Sequence, residues 1–489
     1  MAIKGVTQTR YWQSDGPIIP RKMGNAIRGK RKRDAPHIPA MQNYIEEETL
    51  SIPRDRRTNG NEIGENITIV KRTSGHGIYI CGTSDKQGTV ERVPRKDGWR
   101  KSCRNRWNNQ RGIQPESGRN LEKLVERLKQ KSYRPQPARR VEIAKENGKT
   151  RPLSIYCYED KLVQEALKRI IEAVFEPQFY EEMMGFRPGR GCHKAIQKLN
   201  VMLEKRPTNY VLDADIKGVF DHIDHEWAVR FIEARIKDPN ITRLVRRMLK
   251  NGIMKDYQYE KTEEGSGQGS VCSPIIANIY MHYVLVWWFK ECIQPRLKGY
   301  GGLVVYADDF VCCFQYKEEA ERFYEQLKSR MEHFGMTLEE SKTRLIEFGR
   351  YAGKQNGKGK KPETFTFLGF THYCSESRNG KFRVKRKTSK KKFAKKSKEI
   401  NKLIQGMRKE PIKEIIKKLN QVLVGYYHYY GITDNSRSLS SFRLRVMESL
   451  YRRLNRRSQK KSYSWKGFNE MLRAYPIANP RIYVNVYAG

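Results

Sequence analysis

Leu303-Val304-Val305-Tyr306-Ala307-Asp308-Asp309-Phe310-Val311-Cys312-Cys313-Phe314 carries two adjacent carboxylates between two apolar runs. Both runs are rich in β-branched and aromatic residues, so they read as the strands of a tight hairpin with the acids at its turn. Aspartate is a common turn residue, and a solvated turn is the plain reading of Tyr306 to Asp309 taken alone. Two neighbouring carboxylates in a sheet repel each other, however, and contribute nothing to a core. A divalent cation held between them and a third carboxylate makes them useful, because Mg²⁺ takes hard oxygen ligands and completes its shell with substrate phosphates.

The third carboxylate has a candidate upstream. Tyr210-Val211-Leu212-Asp213-Ala214-Asp215-Ile216 is a short apolar strand bearing acids, followed by Lys217-Gly218-Val219-Phe220-Asp221. Laid beside the hairpin, a strand ending in Asp215 brings three carboxylates to one point. That is the arrangement of two-metal nucleotidyl transfer. One ion lowers the pKa of a primer 3′-hydroxyl, and the other steadies the triphosphate and the leaving pyrophosphate.

The chain has 489 residues, enough for two or three domains. Lys and Arg number 97 against 54 Asp and Glu, a net charge of +43. Self-repulsion on that scale opposes compaction unless a polyanion neutralises it, so nucleic acid is the expected partner and a membrane surface the alternative. No run approaches the roughly 18 apolar residues of a spanning helix, and no signal-peptide core is expected at the N-terminus. The nine cysteines are scattered and form no Cys-x-x-Cys pair, which argues against zinc and disulfide frameworks and fits a reducing cytoplasm.

Residues 1–118 read as a basic, poorly defined N-terminal region. Arginine clusters lie among Pro, Gly and Asn, with short strands expected only at Asn66–Val70 and Gly77–Cys81. A helix is expected from Arg119, on the spacing of Leu121, Leu124, Val125 and Leu128. Val141 to Lys145 alternates as a strand, Asn147-Gly148 supplies a hairpin turn, and Lys149 to Leu153 returns. Lys145 and Arg151 on that hairpin either reach a nucleotide triphosphate or are two more cations of a basic protein. Glu159–Phe175 reads as a core helix, and Gly185-Phe186-Arg187-Pro188-Gly189-Arg190-Gly191 as a rigid basic loop suited to phosphates. His225–Arg235 reads as a helix with Trp227 and Phe231 on one face. Gly265 to Pro274 is a glycine-rich loop entering an apolar helix, a weak signal for close backbone approach to a ligand.

Beyond the hairpin, Glu318–Phe334 reads as an amphipathic helix, Leu345–Phe348 as a strand and Gly353–Lys361 as a solvated loop. Thr364 to Phe370 alternates as one strand. From Arg378 the composition turns basic, and Lys381 to Lys392 is expected to lead into helices. Gly425 to Gly431 packs tyrosines between glycines, and Arg452, Arg453, Arg456 and Arg457 lie on successive turns. Such interleaving suits RNA, through phosphate contacts and base stacking, although the tyrosines are expected mostly in the core.

Taken in this order, the segments from about Arg119 to Val486 resemble the reverse transcriptases encoded by bacterial group II introns. The resemblance implies an α+β right-hand polymerase. Residues 119–375 would form fingers and palm with an antiparallel sheet, and 376–489 a helical thumb and maturase domain that binds RNA. It assigns the catalytic centre to Asp215, Asp308 and Asp309, with the Ile216 carbonyl lent to one of two Mg²⁺ ions, for which Mn²⁺ is a substitute. Phe220 becomes the aromatic wall against a ribose 2′-hydroxyl, favouring dNTPs. The spacing to Phe220 gives the metal role to Asp215 rather than Asp213. Lys145 and Arg151 fall on the triphosphate, Gln268 and Gly269 on the template and incoming base pair, and Lys342 on the lysine that protonates pyrophosphate. Thr366 to Phe370 resembles the primer-grip strand. Arg187, Arg190, Arg453, Arg456 and Arg457 are the expected RNA contacts.

Departures accompany the match. Gly267 stands where the family usually has proline, and Met183-Met184 replaces Ser-Tyr. The family's N-terminal fingers extension is not recognisable before Arg119. No His-Asn-His or Cys-rich endonuclease is expected after Tyr483. The implied activity is RNA-directed DNA synthesis from a DNA primer on an RNA template, with intron RNA and target DNA as further partners. Two other readings stand beside it: a maturase whose polymerase is idle, and an intron-derived enzyme redeployed in phage defence. The related enzymes of diversity-generating elements usually carry Ser-Gln where this chain has Gln268-Gly269.

Overall fold

The computed structural model describes residues 47–50, 67–70, 117–144, 150–255, 258–352, 362–457 and 462–487. Lys145, the Asn147-Gly148 turn, the Gly77–Cys81 segment and the Gly353–Lys361 loop lie outside the described residues. The expected strand near Asn66 is present as Ile67–Val70, paired antiparallel with Glu47–Leu50. The rest divides into two compact units. One holds the chain up to Glu181 with Lys217–Cys292 and Lys328–Thr337; the other holds Glu182–Ile216, Ile293–Leu327 and the chain from Leu338 on.

In the first unit the expected hairpin forms from Ala138–Ala144 and Thr150–Ile155, with Arg151 opposite Ile143. It belongs to a four-stranded sheet that also takes in Ile253–Lys255 and Gln258–Glu260. The helix Tyr158–Phe175 buries Leu162, Val163, Leu167, Ile171 and Val174, a helical period of apolar residues. Asp224 caps His225–Glu233 by accepting from the Trp227 N–H at 2.8 Å. Trp227 and Phe231 stack on one face of that helix with ring centroids 5.7 Å apart.

The segment after the glycine-rich loop is apolar all round and is central for that reason. It begins as the α-helix Ser273–Met281 and continues in π-helical turns through Ile293. Widened turns leave carbonyls to satisfy, and the buried Arg330 donates to Val284 O at 2.7 Å and Tyr283 O at 3.2 Å.

In the second unit a four-stranded antiparallel sheet runs in the order Arg344–Glu347, Tyr210–Asp215, Asp309–Phe314, Gly301–Tyr306. The helix Cys192–Lys205 buries Ala195, Leu199 and Leu203 in one core with Val211, Val304 and Val311 of this sheet. A three-stranded antiparallel sheet follows: Phe365–Phe367, Phe370–Glu376, Phe382–Thr388. Four helices complete the unit, at Lys390–Gly406, Ile412–Tyr430, Ser436–Leu454 and Trp465–Ala474. They share a core that includes Ile400, Leu419, Leu423, Phe442, Leu450 and Phe468. Tyr426 and Tyr427 lie in it, as expected of tyrosines at this spacing. The architecture is thus α+β, largely antiparallel, with a helical region at its end.

Two expectations are corrected here. Thr364–Phe370 is not one strand: Leu368-Gly369 reverses the chain, and Phe367 pairs with Phe370. Both turn residues are left-handed, at φ 49° and 80°, the backbone of a type I′ hairpin turn. Leucine at the first position hides that turn from a sequence reading. The basic run from Lys381 does not lead directly into helix, because Phe382–Thr388 is a strand. Val384, Arg386 and Thr388 are buried while Lys387 is exposed, so the cations mask a period of two. A division at 375/376 would therefore separate strands that pair with each other.

Candidate active site

The second unit assembles the carboxylates. Pairing between Tyr210–Asp215 and Asp309–Phe314 sets Asp215 directly opposite Asp309. Tyr306 pairs with Asp309, which leaves Ala307-Asp308 as a two-residue turn. Backbone hydrogen bonds fix the surroundings: Ile216 N donates to Asp308 O at 3.3 Å, and Glu339 N to Asp215 O at 2.8 Å. Asp213 sits one pleat back on the Asp215 strand, its carboxylate 3.7 Å from the Arg344 guanidinium.

The electrostatics follow from crowding. Burial first, then the charges of Asp215, Asp308 and Asp213, push the Asp309 carboxyl up to about 7, with Lys342 opposing. Burial likewise raises Asp213 to about 6, and Arg344 works against the rise. The Lys342 ammonium rests on the Asp215 carboxylate. Burial disfavours its charge, but the hydrogen bond and charge of Asp215, with Glu339 and Asp309, hold its pKa above the ordinary lysine value.

These are donors of the hard-oxygen kind Mg²⁺ takes, and the mutual repulsion that raises Asp309 is what a divalent cation relieves. Among the described residues no three His, Cys, Asp or Glu side chains stand preassembled around one ion position. Lys342 on Asp215 holds positive charge where a cation would otherwise bind. The fit is therefore to an ion shared with substrate phosphates rather than to an all-protein cage.

The first unit holds the other expected contacts. Phe220 lies in the short helical turn Val219–Asp221, entered through Gly218 at φ 57°. Its carbonyl accepts from Ser266 N at 2.6 Å, and Gly265 N donates to Ile223 O at 2.8 Å. Gln268 Nε2 donates to both carboxylate oxygens of Asp221, at 3.0 and 3.1 Å. The Gln268 carbonyl accepts from Ser154 N at 2.7 Å, on the strand that carries the exposed Arg151. Phe220, Gln268 and the strand that carries Arg151 thus belong to one hydrogen-bonded assembly, with Gly269 packed against the Ser154 carbonyl. Asp221 and Ser154, which link its parts, carry no sequence signal of that role beyond their proximity to the motifs.

The expected RNA contacts divide. Arg187 is buried, and its Nη1 donates to Met183 O at 2.9 Å, so it braces its own loop instead of facing solvent. Arg190 is half-buried. Arg453 Nε donates to Asn401 Oδ1 at 3.2 Å, joining two helices of the unit, and Arg457 Nη2, just past its helix, donates to Glu410 O at 3.0 Å in the connection between two others. Arg456 is exposed. None of the seven cysteines among the described residues is joined in a disulfide. No helix among those residues is long and apolar enough to cross a membrane.

Comparison with known proteins adds two family matches. Residues 143–372 match the reverse transcriptase (RNA-dependent DNA polymerase) family, and residues 390–471 match the group II intron, maturase-specific domain. The group II intron-encoded protein LtrA of Lactococcus lactis subsp. cremoris is 42% identical over 163 residues, 33% of this chain and 27% of that protein. The uncharacterized 91 kDa protein in the cob intron of Schizosaccharomyces pombe is 38% identical over 162 residues, 33% of this chain and 20% of that protein. Protein YkfC of Escherichia coli K12 is 28% identical over 294 residues, 54% of this chain and 74% of YkfC. The matched region thus spans about a quarter of the Lactococcus protein.

Proposed function

The chain belongs to the group II intron-encoded reverse transcriptases that carry a maturase-specific domain, and from that premise we propose that it extends a primer 3′-hydroxyl with dNTPs on an RNA template and assists splicing and mobility of an intron RNA. The observation that carries this reading is Asp215 paired across the sheet with Asp309, with Asp308 in the adjoining turn, inside the region matched to reverse transcriptases.

Two Mg²⁺ ions, or Mn²⁺ in their place, would supply the charge that acidifies the 3′-hydroxyl and steadies the leaving pyrophosphate. Asp215, Asp308 and Asp309, with the Ile216 carbonyl, are the groups that would hold them. Lys342, once freed from Asp215, would keep a proton on Nζ for the departing pyrophosphate. Arg151 and Lys145 would take the triphosphate, and Gln268 and Gly269 would line the template and incoming base pair. Phe220 would fill the space a ribose 2′-hydroxyl needs. The maturase-specific region would grip intron RNA through exposed cations such as Arg456, with target DNA as a further partner.

The test is Mg²⁺-dependent dNTP incorporation on a primed RNA template, comparing wild type with Asp308→Ala/Asp309→Ala. Synthesis that vanishes in the double variant is the expected outcome. No synthesis in either protein, with tight binding to structured RNA retained, would replace the polymerase reading with that of an RNA-folding protein.

A further inference from the structure

We infer that Gly185 is a positioning residue for the carboxylate turn. The segment Glu182–Gly185 runs beside the edge strand Gly301–Tyr306 as an added parallel rung, with a bridge between Met183 and Val305. Val305 N donates to Glu182 O at 2.8 Å, and Met184 N donates to Val305 O at 2.9 Å. The rung ends with Gly185 seated on the turn itself. A Cβ at Gly185 would stand 2.6 Å from Ala307 N and 3.3 Å from Ala307 Cα and the Tyr306 carbonyl carbon. All three are backbone atoms, so only displacement of the turn would make room.

A second observation points to the same contact. The residues on either side of it, Phe186 and Ala307, are both left-handed, at φ 56° and 59°. Neither is glycine, and non-glycine residues persist in that region only where their surroundings over-determine them. Ala307 precedes Asp308 directly, so its conformation decides where Asp308 and Asp309 leave the turn. The close approach at Gly185 removes the space into which Ala307 would relax. Glu182, at the start of the rung, is anchored by Lys198 at 3.3 Å.

This inference rests on the reading of Asp308 and Asp309 as divalent-cation ligands. Mn²⁺ is titrated into the full chain and free Mn²⁺ is followed by electron paramagnetic resonance, for wild type, Asp308→Ala/Asp309→Ala, Gly185→Ala and Gly191→Ala. Gly185→Ala is expected to weaken Mn²⁺ binding about tenfold, the usual cost of losing support behind a metal ligand. Its thermal midpoint falls, as displaced backbone requires, while its primer–template Kd stays at the wild-type value. Gly191→Ala, where a Cβ meets nothing within 4 Å, binds as wild type does. Wild-type Mn²⁺ affinity in a folded Gly185→Ala overturns the inference. If the double aspartate variant keeps full affinity, the ligand reading fails instead and takes the inference with it. Should Gly185→Ala not fold, Lys198→Met loosens the same rung from its surface end. An affinity loss is then expected, no larger than the roughly tenfold of a lost supporting contact, and no loss overturns the inference.

Discussion

Asp309 shows what this site costs the fold. Its folded-state pKa stands near 7, above the ordinary carboxylate value, because burial and three neighbouring acids disfavour its charge. The folded chain therefore holds that proton more tightly than the unfolded chain. Stability from this group is fully present below about pH 4, and it declines as pH rises toward 7. Asp309→Asn is expected to raise stability in chelator by roughly 2 kcal/mol at pH 8, and by little at pH 4, while abolishing synthesis. Thermal unfolding at both pH values decides it; equal midpoints at pH 8 would mean the acids do not strain the sheet. Phe220 is a second residue-scale test. Phe220→Ala is expected to admit ribonucleotides, and unchanged discrimination between rNTPs and dNTPs would remove it as the gate.

At the scale of elements, the glycine-rich loop is shaped by what it touches. A Cβ on Gly267 would collide with the Tyr156 hydroxyl, and one on Gly269, at φ 121°, with the Ser154 carbonyl. Any side chain at position 267, proline included, has no room while Tyr156 is present and buried. Gly267→Ala is therefore expected to destabilise the chain, and Tyr156→Phe to relieve some of the loss. A coupling of about 1 kcal/mol should appear in the double-mutant cycle on denaturant unfolding; strict additivity would show that the loop yields by another route. Elements of this kind also mark how far sequence reading reached. The Asp215 strand, the aspartate hairpin and the long helices announced themselves through apolar periodicity. The Leu368-Gly369 reversal did not, because leucine is a poor advertisement for a left-handed turn. Nor did the strand Phe382–Thr388, whose buried Arg386 breaks the equation of charge with surface. The roles of Asp221, Ser154 and Gly185 depend on contacts that no spacing rule encodes.

For the whole molecule, a net charge of +43 sets the terms of nucleic-acid binding, but not every arginine contributes alike. Arg456→Ala is expected to lower the slope of log K against log salt by about 0.9 for intron RNA and to leave the thermal midpoint unchanged. Arg453→Ala, which strips Asn401 of a partner, is expected to lower the midpoint instead. RNA titrations at several salt concentrations, paired with melting curves, separate the two. If both variants change only the salt slope, Arg453 is an RNA contact after all and its hydrogen bond to Asn401 is incidental.

The order of the carboxylate sheet also has a consequence for how the protein is made. Its neighbours in space are Arg344–Glu347, Tyr210–Asp215, Asp309–Phe314 and Gly301–Tyr306, and synthesis delivers them in another sequence. When Asp215 leaves the ribosome, both strands that will flank it are still untranslated. Until Phe314 emerges Asp215 has no Asp309 opposite it, and until Glu347 emerges one edge of its strand stays open to any passing chain. A nascent polypeptide halted between those points would carry Asp215 on an unprotected edge. Pauses in translation before residue 347 has emerged thus prolong the time for which this edge is open to misassembly.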